Sequence, residues 1–333
     1  MATVRYLSSD DVRELATPAD FVSAVKDGYR QRGDGAPAVP RTTLTRDDPW
    51  GMLTTYTAIL PESEVMGGYM YGAGFGESDS RFVTPLFDAQ SGELLAIIDG
   101  AWMNPFKTGA AGAVAVDVLA RPEASTIGLI GSGPQAAGQL QTVATVRELE
   151  SVRVYSPTSD NRRAFAEEFD AELDASVVAV DSPAEAVSGA DIIITATTSS
   201  EPVFDGDDLD PGAHVTAMGQ YHPRRRELDT STIARSIYVP DLRDRVTQDA
   251  GAFLLALEEG AIDADHVHAE LGEVVAGQVV GRPSSDAITV FDSGGTAIET
   301  VAAASMLYER ALAEDRGTPL EWFSGSERLT GRR

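Results

Sequence analysis

The segment Thr126-Ile127-Gly128-Leu129-Ile130-Gly131-Ser132-Gly133-Pro134-Gln135-Ala136-Ala137 constrains this chain more than any other. Ile127 to Ile130 is a short apolar run of the kind a buried parallel strand needs, and helical spacing follows from Ala137 to Leu149. Between them stands Gly131-x-Gly133-x-x-Ala136. Gly131 allows a tight turn, Gly133 lets the backbone approach a pyrophosphate, and Ala136 lets the helix pack close on the strand. The free N–H groups of the helix N-terminus then face the phosphates. An ordinary strand-to-helix turn would carry the same glycines, but the flanking strand and helix favour dinucleotide binding.

Beyond this segment, strands and helices alternate from 126 to about 240, as a parallel sheet requires. Val152–Tyr155, Asp191–Thr197, His214–Gly219 and Ser236–Val239 are the further strands expected, and Ala250–Glu259 and His268–Gly277 read as helices. Residues 8–33 read as a helix with a break near Pro18. From about 41 to 100 the segments are short and β-rich, with candidate strands Met52–Leu60, Gly67–Ala73, Phe82–Phe87 and Glu93–Ile98. Asp99 to Leu119 turns helical, and Gly294–Ala313 is a long Ala-rich helix that could pack back on the β-rich part. Fraying is expected from about Gly325.

The chain of 333 residues suits two domains, and 43% hydrophobic residues mark it as globular. No apolar run approaches the ~18–20 residues of a membrane span, and the N-terminus lacks a signal-peptide layout. Cysteine is absent, which excludes disulfides and thiolate metal sites; a cytoplasmic location is the simplest reading. The net charge of −26 argues against nucleic acid as a partner. Spread along the whole chain, it reads as the surface of a protein from an extreme halophile, where salt screens self-repulsion. Lysine is nearly purged: Lys26 and Lys107 stand among basic residues that are otherwise arginine, apart from the few histidines. A retained lysine is therefore a candidate for a specific task.

Taken in order, Arg41, Asn104-Pro105-Phe106-Lys107-Thr108-Gly109-Ala110-Ala111, Gly131-Ser132-Gly133-Pro134-Gln135, Ala190-Asp191-Ile192 and Ser293-Gly294-Gly295-Thr296-Ala297 resemble the ornithine cyclodeaminase/mu-crystallin family, in a haloarchaeal member. The resemblance runs from about 5 to 315. It implies an α/β chain with a Rossmann-type doubly wound parallel sheet over about 119–296. A second α+β domain, for substrate and dimerisation, would comprise 1–118 with about 297–333. The implied chemistry acts on the C–N bond of a small amino or imino acid, with NAD(P) as cofactor, in a homodimer.

The resemblance also assigns residues. Arg41 stands where the family forks an arginine onto the substrate carboxylate. Lys107 replaces the family's usual arginine, so it could hold a carboxylate or a cofactor phosphate, or move protons. Tyr69, in Gly67-Gly68-Tyr69-Met70, stands where members carry a lysine. Tyr221, in Met218-Gly219-Gln220-Tyr221-His222-Pro223-Arg224-Arg225, stands where cyclodeaminases carry a catalytic aspartate. Tyr69, Tyr221 and His222 are the available replacements, with His222 favoured as acid–base group because an unperturbed imidazole titrates near ~6.5. Gly294 joins the substrate set. The cofactor set is Gly131, Ser132, Gly133, Pro134, Gln135, Ser156, Thr195, Thr197, Met218, Gly219, Arg225 and Ser293. Ser156 occupies the place at the end of the second strand where an acid selects NAD, and Arg162 and Arg163 follow, so NADP(H) is favoured. His214 reads as a strand-entry residue. His266 and His268 lack a third ligand at suitable spacing and read as surface residues, so no metal is expected.

Three functions are open on this reading. The first is an oxidoreductase of small amino or imino acids, of ketimine-reductase or alanine-dehydrogenase type. The second is ornithine cyclodeamination with recycled NAD. The third is a non-catalytic nucleotide-binding protein.

Overall fold

The computed structural model describes residues 2–75 and 80–322; the stretch expected to fray from Gly325 lies outside them. In chain order the elements begin with β1 (Ala2–Leu7), α1 (Ser9–Leu15), α2 (Pro18–Gly33), β2 (Thr42–Asp47), β3 (Trp50–Leu60) and β4 (Val65–Ala73). Then come β5 (Arg81–Asp88), β6 (Leu94–Asp99), α3 (Gly100–Leu119), β7 (Thr126–Ile130), α4 (Pro134–Val143) and β8 (Ser151–Tyr155). The chain continues through α5 (Ser159–Glu172), β9 (Ser176–Ala179), α6 (Pro183–Val187), β10 (Ile192–Thr195), β11 (His214–Ala217) and α7 (Thr230–Arg235). It closes with β12 (Ser236–Pro240), α8 (Arg243–Asp249), α9 (Gly251–Glu258), α10 (Leu271–Val275), β13 (Ile288–Asp292), α11 (Ala297–Ala313) and β14 (Thr318–Trp322).

Two seven-stranded sheets result. One runs β12-β13-β11-β10-β7-β8-β9, and every pairing in it is parallel. Its central strands β7, β10, β11 and β13 are almost wholly buried, whereas β8 and β9 at one edge alternate buried with more exposed residues. Strand order reverses between β7 and β10, which places a crevice at their C-terminal ends. The other sheet, β14-β1-β6-β5-β4-β3-β2, is mostly antiparallel, and α2, α3 and α11 cover one face of it. Tyr56, Ala58 and Leu60 of β3 point into that covered face and are buried, whereas Leu53 and Ile59 alternate outward with Met70 and Val83.

The break expected near Pro18 is there, and it separates α1 from α2, with Thr17 and Asp20 forming a capping box at the start of α2. Several expectations need correction. The helix after Gly133 stops at Val143 instead of Leu149, and His268–Gly277 contains only the short α10. Five strands, β1, β2, β9, β13 and β14, were not among the candidates read from the sequence. β1 and β14 pair with each other at one edge, and β13 is buried between β11 and β12.

The two sheets meet where α3 lies on α4. A Cβ on Gly109 would sit 2.3 Å from the carbonyl oxygen of Gly138, and one on Gly138 would sit 2.3 Å from that of Pro105. Only glycine permits this approach, and it brings Lys107 of α3 to the turn that precedes α4.

Candidate active site

The Gly131 turn has the conformation its sequence demands. Gly131 adopts φ +128°, and a Cβ there would meet the Ala196 carbonyl oxygen at 2.5 Å. Gly133 is the N-cap of α4 and has open space above it. The first helical bond runs from Ala137 N–H to Gly133 C=O, so the N–H groups of Gln135 and Ala136 lack intrahelical acceptors. The side-chain oxygen of Gln135 is buried without a partner. Beside the turn, the buried Glu227 carboxylate accepts from Thr197 N–H and Gly219 N–H, both at 2.7 Å, and so fixes the loops after β10 and β11. Burial raises its pKa. Unsatisfied donors, an open glycine and rigid strand ends fit a dinucleotide.

A cavity of about 410 Å³ joins this crevice to the mostly antiparallel sheet. Its wall includes Gly133, Pro134, Gln135, Thr197, Met218 and Gly219 on one side and Arg41, Tyr56, Tyr69, Tyr71 and Lys107 on the other, with Tyr221, Ser293 and Gly294 at the junction. Among the described residues the wall carries two cations and no carboxylate.

Arg41 is buried, yet its fork is lightly engaged. Nη1 reaches the Tyr71 hydroxyl at 3.5 Å and Nη2 the Gly295 carbonyl at 3.3 Å. Nε lies 3.3 Å from Asp249 Oδ2, and the Tyr221 ring centre is 4.2 Å from the guanidinium carbon. Gln248 Nε2 also donates to the Arg41 carbonyl at 2.6 Å. Residues of α8 thus hold the arginine from behind and leave its outer nitrogens for a ligand carboxylate.

Lys107 is buried as well, with Nζ 2.9 Å from Glu299 Oε1, 3.3 Å from Thr108 Oγ1 and 5.0 Å from the Tyr69 ring centre. Burial, opposed by Lys107, raises the pKa of Glu299. Behind the cavity Arg245 binds Asp241, Asp249 and Asp292 at 2.7, 2.7 and 2.8 Å. Asp241 Oδ2 in turn accepts from Ser293 Oγ, Gly294 N–H and Gly295 N–H. None of Glu299, Asp241, Arg245, Asp249 or Asp292 was singled out in the sequence. The four-residue spacing Asp241, Arg245, Asp249 was the signal available for three of them.

Several expected site residues stand elsewhere. His222 is exposed and outside the cavity wall, and its Nδ1 accepts from Arg224 N–H. Arg225 is exposed and also outside the wall. Thr195 lies beneath the crevice rather than in it. Tyr69 lines the cavity, but its hydroxyl donates to Asn104 Oδ1 at 3.2 Å. The Ser293 hydroxyl and the Gly294 N–H are spent on Asp241. Ser132 Oγ donates to Ser156 Oγ at 2.9 Å, which in turn faces the Thr158 carbonyl. Arg162 is spent on the Ser156 carbonyl and Asp181, and Arg163 is exposed. Tyr221 lines the cavity, and burial, with Tyr71 nearby and Arg41 opposing, pushes its phenol up to about 12. His266 and His268 each bind a backbone carbonyl through Nε2.

A parallel sheet with a glycine turn at its switch point, joined to a cation-lined cavity, defines a Rossmann-type dinucleotide-binding fold with a second, mostly antiparallel sheet beside it. The chain belongs to the ornithine cyclodeaminase/mu-crystallin family, whose match covers residues 4–315. A Delta(1)-pyrroline-2-carboxylate reductase of Bacillus cereus is 35% identical over 248 residues, 74% of this chain and 76% of the relative. The structure of Thermococcus litoralis Delta(1)-pyrroline-2-carboxylate reductase in complex with NADH and L-proline has a TM-score of 0.91 at 33% identity, covering 95% of this chain and 100% of that one. An archaeal alanine dehydrogenase dimer with bound NAD gives a TM-score of 0.89 at 29% identity, covering 97% and 100%.

Proposed function

We propose that this chain is an NAD(P)-dependent reductase of small imino acids, cyclic ketimines above all. The observation that carries this reading is the single cavity in which Arg41 and Lys107 face the Gly131–Gln135 turn and the ends of β10 and β11. Gln135 and Ala136 N–H would hold the pyrophosphate, while Thr197, Met218 and Gly219 line the nicotinamide end. When bound, the cofactor supplies hydride to the imine carbon.

The protein's own part is to orient and to protonate. Arg41 forks onto the substrate carboxylate, and the tyrosine walls exclude water from the ring. Lys107 gives a proton to the imine nitrogen. Tyr221 stacks on Arg41 and serves as a platform, since a phenol held near 12 stays neutral.

Ornithine cyclodeamination is the second reading, favoured by kinship alone. Against it stands Tyr221 in the aspartate's place, with no carboxylate in the described cavity wall to meet a second ammonium group. NADPH is favoured over NADH on Ser156, which offers no charge to repel a 2′-phosphate; with Arg162 already paired, the contrast is small. The apolar outer face of Leu53, Ile59, Met70 and Val83 supports a homodimer joined through this sheet. The lysine-poor acidic surface supports a salt-rich cytoplasm as its setting.

The test follows nicotinamide absorbance in high salt, with NADPH or NADH offered beside cyclic imino acids or 2-oxo acids plus ammonia. Cofactor oxidation without proline from ornithine supports the reductase. Proline formed without net cofactor turnover overturns it.

A further inference from the structure

The cavity's two cations are each held by a buried carboxylate, Arg41 by Asp249 and Lys107 by Glu299, and in the second pair the lysine can give up its proton. Lys107 of α3 and Glu299 of α11 are almost wholly buried and stand 192 residues apart in sequence. Glu299 Oε1 takes the lysine ammonium and the Thr296 N–H, whereas Oε2 is buried with no hydrogen-bond partner. An unshared carboxylate oxygen in apolar surroundings is costly unless a positive charge stays beside it. The other titratable groups that face the pair offer little relief. Tyr29 of α2, Tyr56 of β3 and Tyr69 of β4 are phenols whose pKa burial raises, so they stay neutral. Asp241 adds a like charge. Arg41 is the nearby cation, its Nη2 and Glu299 Oε1 both approaching Gly295, but Asp249 already answers it.

We propose that Glu299 is the fixed counter-charge for one proton that moves between Lys107 Nζ and the substrate nitrogen. This rests on the imine-reductase reading. In the step, an N–H bond of the lysine ammonium breaks and an N–H bond on the imine nitrogen forms. No electrons change owner; the positive charge passes from lysine to substrate, and the carboxylate stays fixed behind the lysine, outside the cavity wall, throughout. Lys107 regains its proton from solvent once the product has left. The pair therefore stays neutral in sum when the cavity is empty. It favours a substrate that brings its own carboxylate for Arg41 and a nitrogen able to accept one proton.

The scarcity of lysine makes the test direct. In a K26R background, 13C-lysine labelling leaves Lys107 as the sole lysine signal, and its Cε shift reports the charge on the amine. With E299Q the charged form should give way at a pH at least about one unit lower than in the parent, the equivalent of a tenfold change in the equilibrium. The alkaline limb of imine reduction should move with it, and E299D should restore both in part. A signal that changes at the same pH in parent and E299Q overturns the proposal, even if the melting temperature falls. Should E299Q not fold, the K26R protein is titrated with L-proline, whose nitrogen is cationic, or with pyrrole-2-carboxylate, whose nitrogen is neutral. Earlier loss of the lysine charge with proline alone supports a shared counter-charge, and equal curves overturn it. Absence of any imine reduction by the parent would sink the reductase reading, while the NMR titration would still judge the pair.

Discussion

At the scale of residues, Arg41 is the group whose geometry is most exposed to substitution. Its Nε faces Asp249 and its outer nitrogens are lightly held, so two parallel bonds to a carboxylate are available. Lysine in its place keeps the charge and loses the fork. R41K should raise KM for the imino acid roughly 10- to 100-fold, the loss of one charge-assisted bond of about 1.5–3 kcal/mol. Because the carboxylate is bound alike before and during reduction, kcat should change far less. Steady-state kinetics decide the point: a fall in kcat at constant KM would remove Arg41 from carboxylate binding.

At the scale of elements, β11 carries a built-in acid sensitivity. His214 is buried between Thr289 and Thr216, whose hydroxyls meet its two ring nitrogens at 2.9 and 3.0 Å. Burial, aided by Arg282 and Arg147, lowers its pKa from 6.5 to about 3. Between those values the unfolded chain holds one more proton than the native one, so stability falls as pH falls through the window. The slope is at most about 1.4 kcal/mol per unit. Below about 3 both states are protonated and this loss ends. H214Q should therefore narrow its stability gap to the wild type as pH drops from 6.5 to 4, measured by denaturant unfolding at each pH; a pH-independent gap would refute the assignment.

Another strand of that sheet, β7, shows what the sequence could reveal. Its apolar run and the Gly131 turn were legible because a tight turn at φ +128° and a close carbonyl demand one residue type. The pairings around Lys107 and Arg41 were not, since partners from distant elements are chosen by tertiary packing rather than spacing. Glu299 left one trace: an acid within the apolar helix Ala297–Ala313 needs a buried partner. His222 was misread because loop course, not residue type, decides whether an imidazole reaches a cavity. The edge pairing of β1 with β14 joins the two ends of the described chain, and no local pattern announces it.

At the scale of the whole molecule, charge dominates. A net charge of −26 repels itself across a Debye length of ~10 Å at 0.1 M salt but only ~3 Å at 1 M. Thermal unfolding followed by circular dichroism should show the melting temperature falling steadily as sodium chloride is lowered from molar concentrations. An unchanged melting temperature in dilute buffer would separate the acidic composition from stability.

The course of the chain has a consequence for its birth on the ribosome. All strands of the parallel sheet lie between Thr126 and Asp292, whereas the mostly antiparallel sheet needs α11 across β3, β4 and β5, and β14 beside β1. The half translated second can therefore finish first, while the half translated earliest waits for the last helix to emerge. Until then Lys107 has no Glu299, and the sheet that carries Tyr69, and that Arg41 leads into, lacks the helix that packs across it. A nascent chain halted before Ala297 would shield its nucleotide crevice from protease and leave its amino-terminal strands open to cleavage. Catalytic competence would arrive only with the last helix.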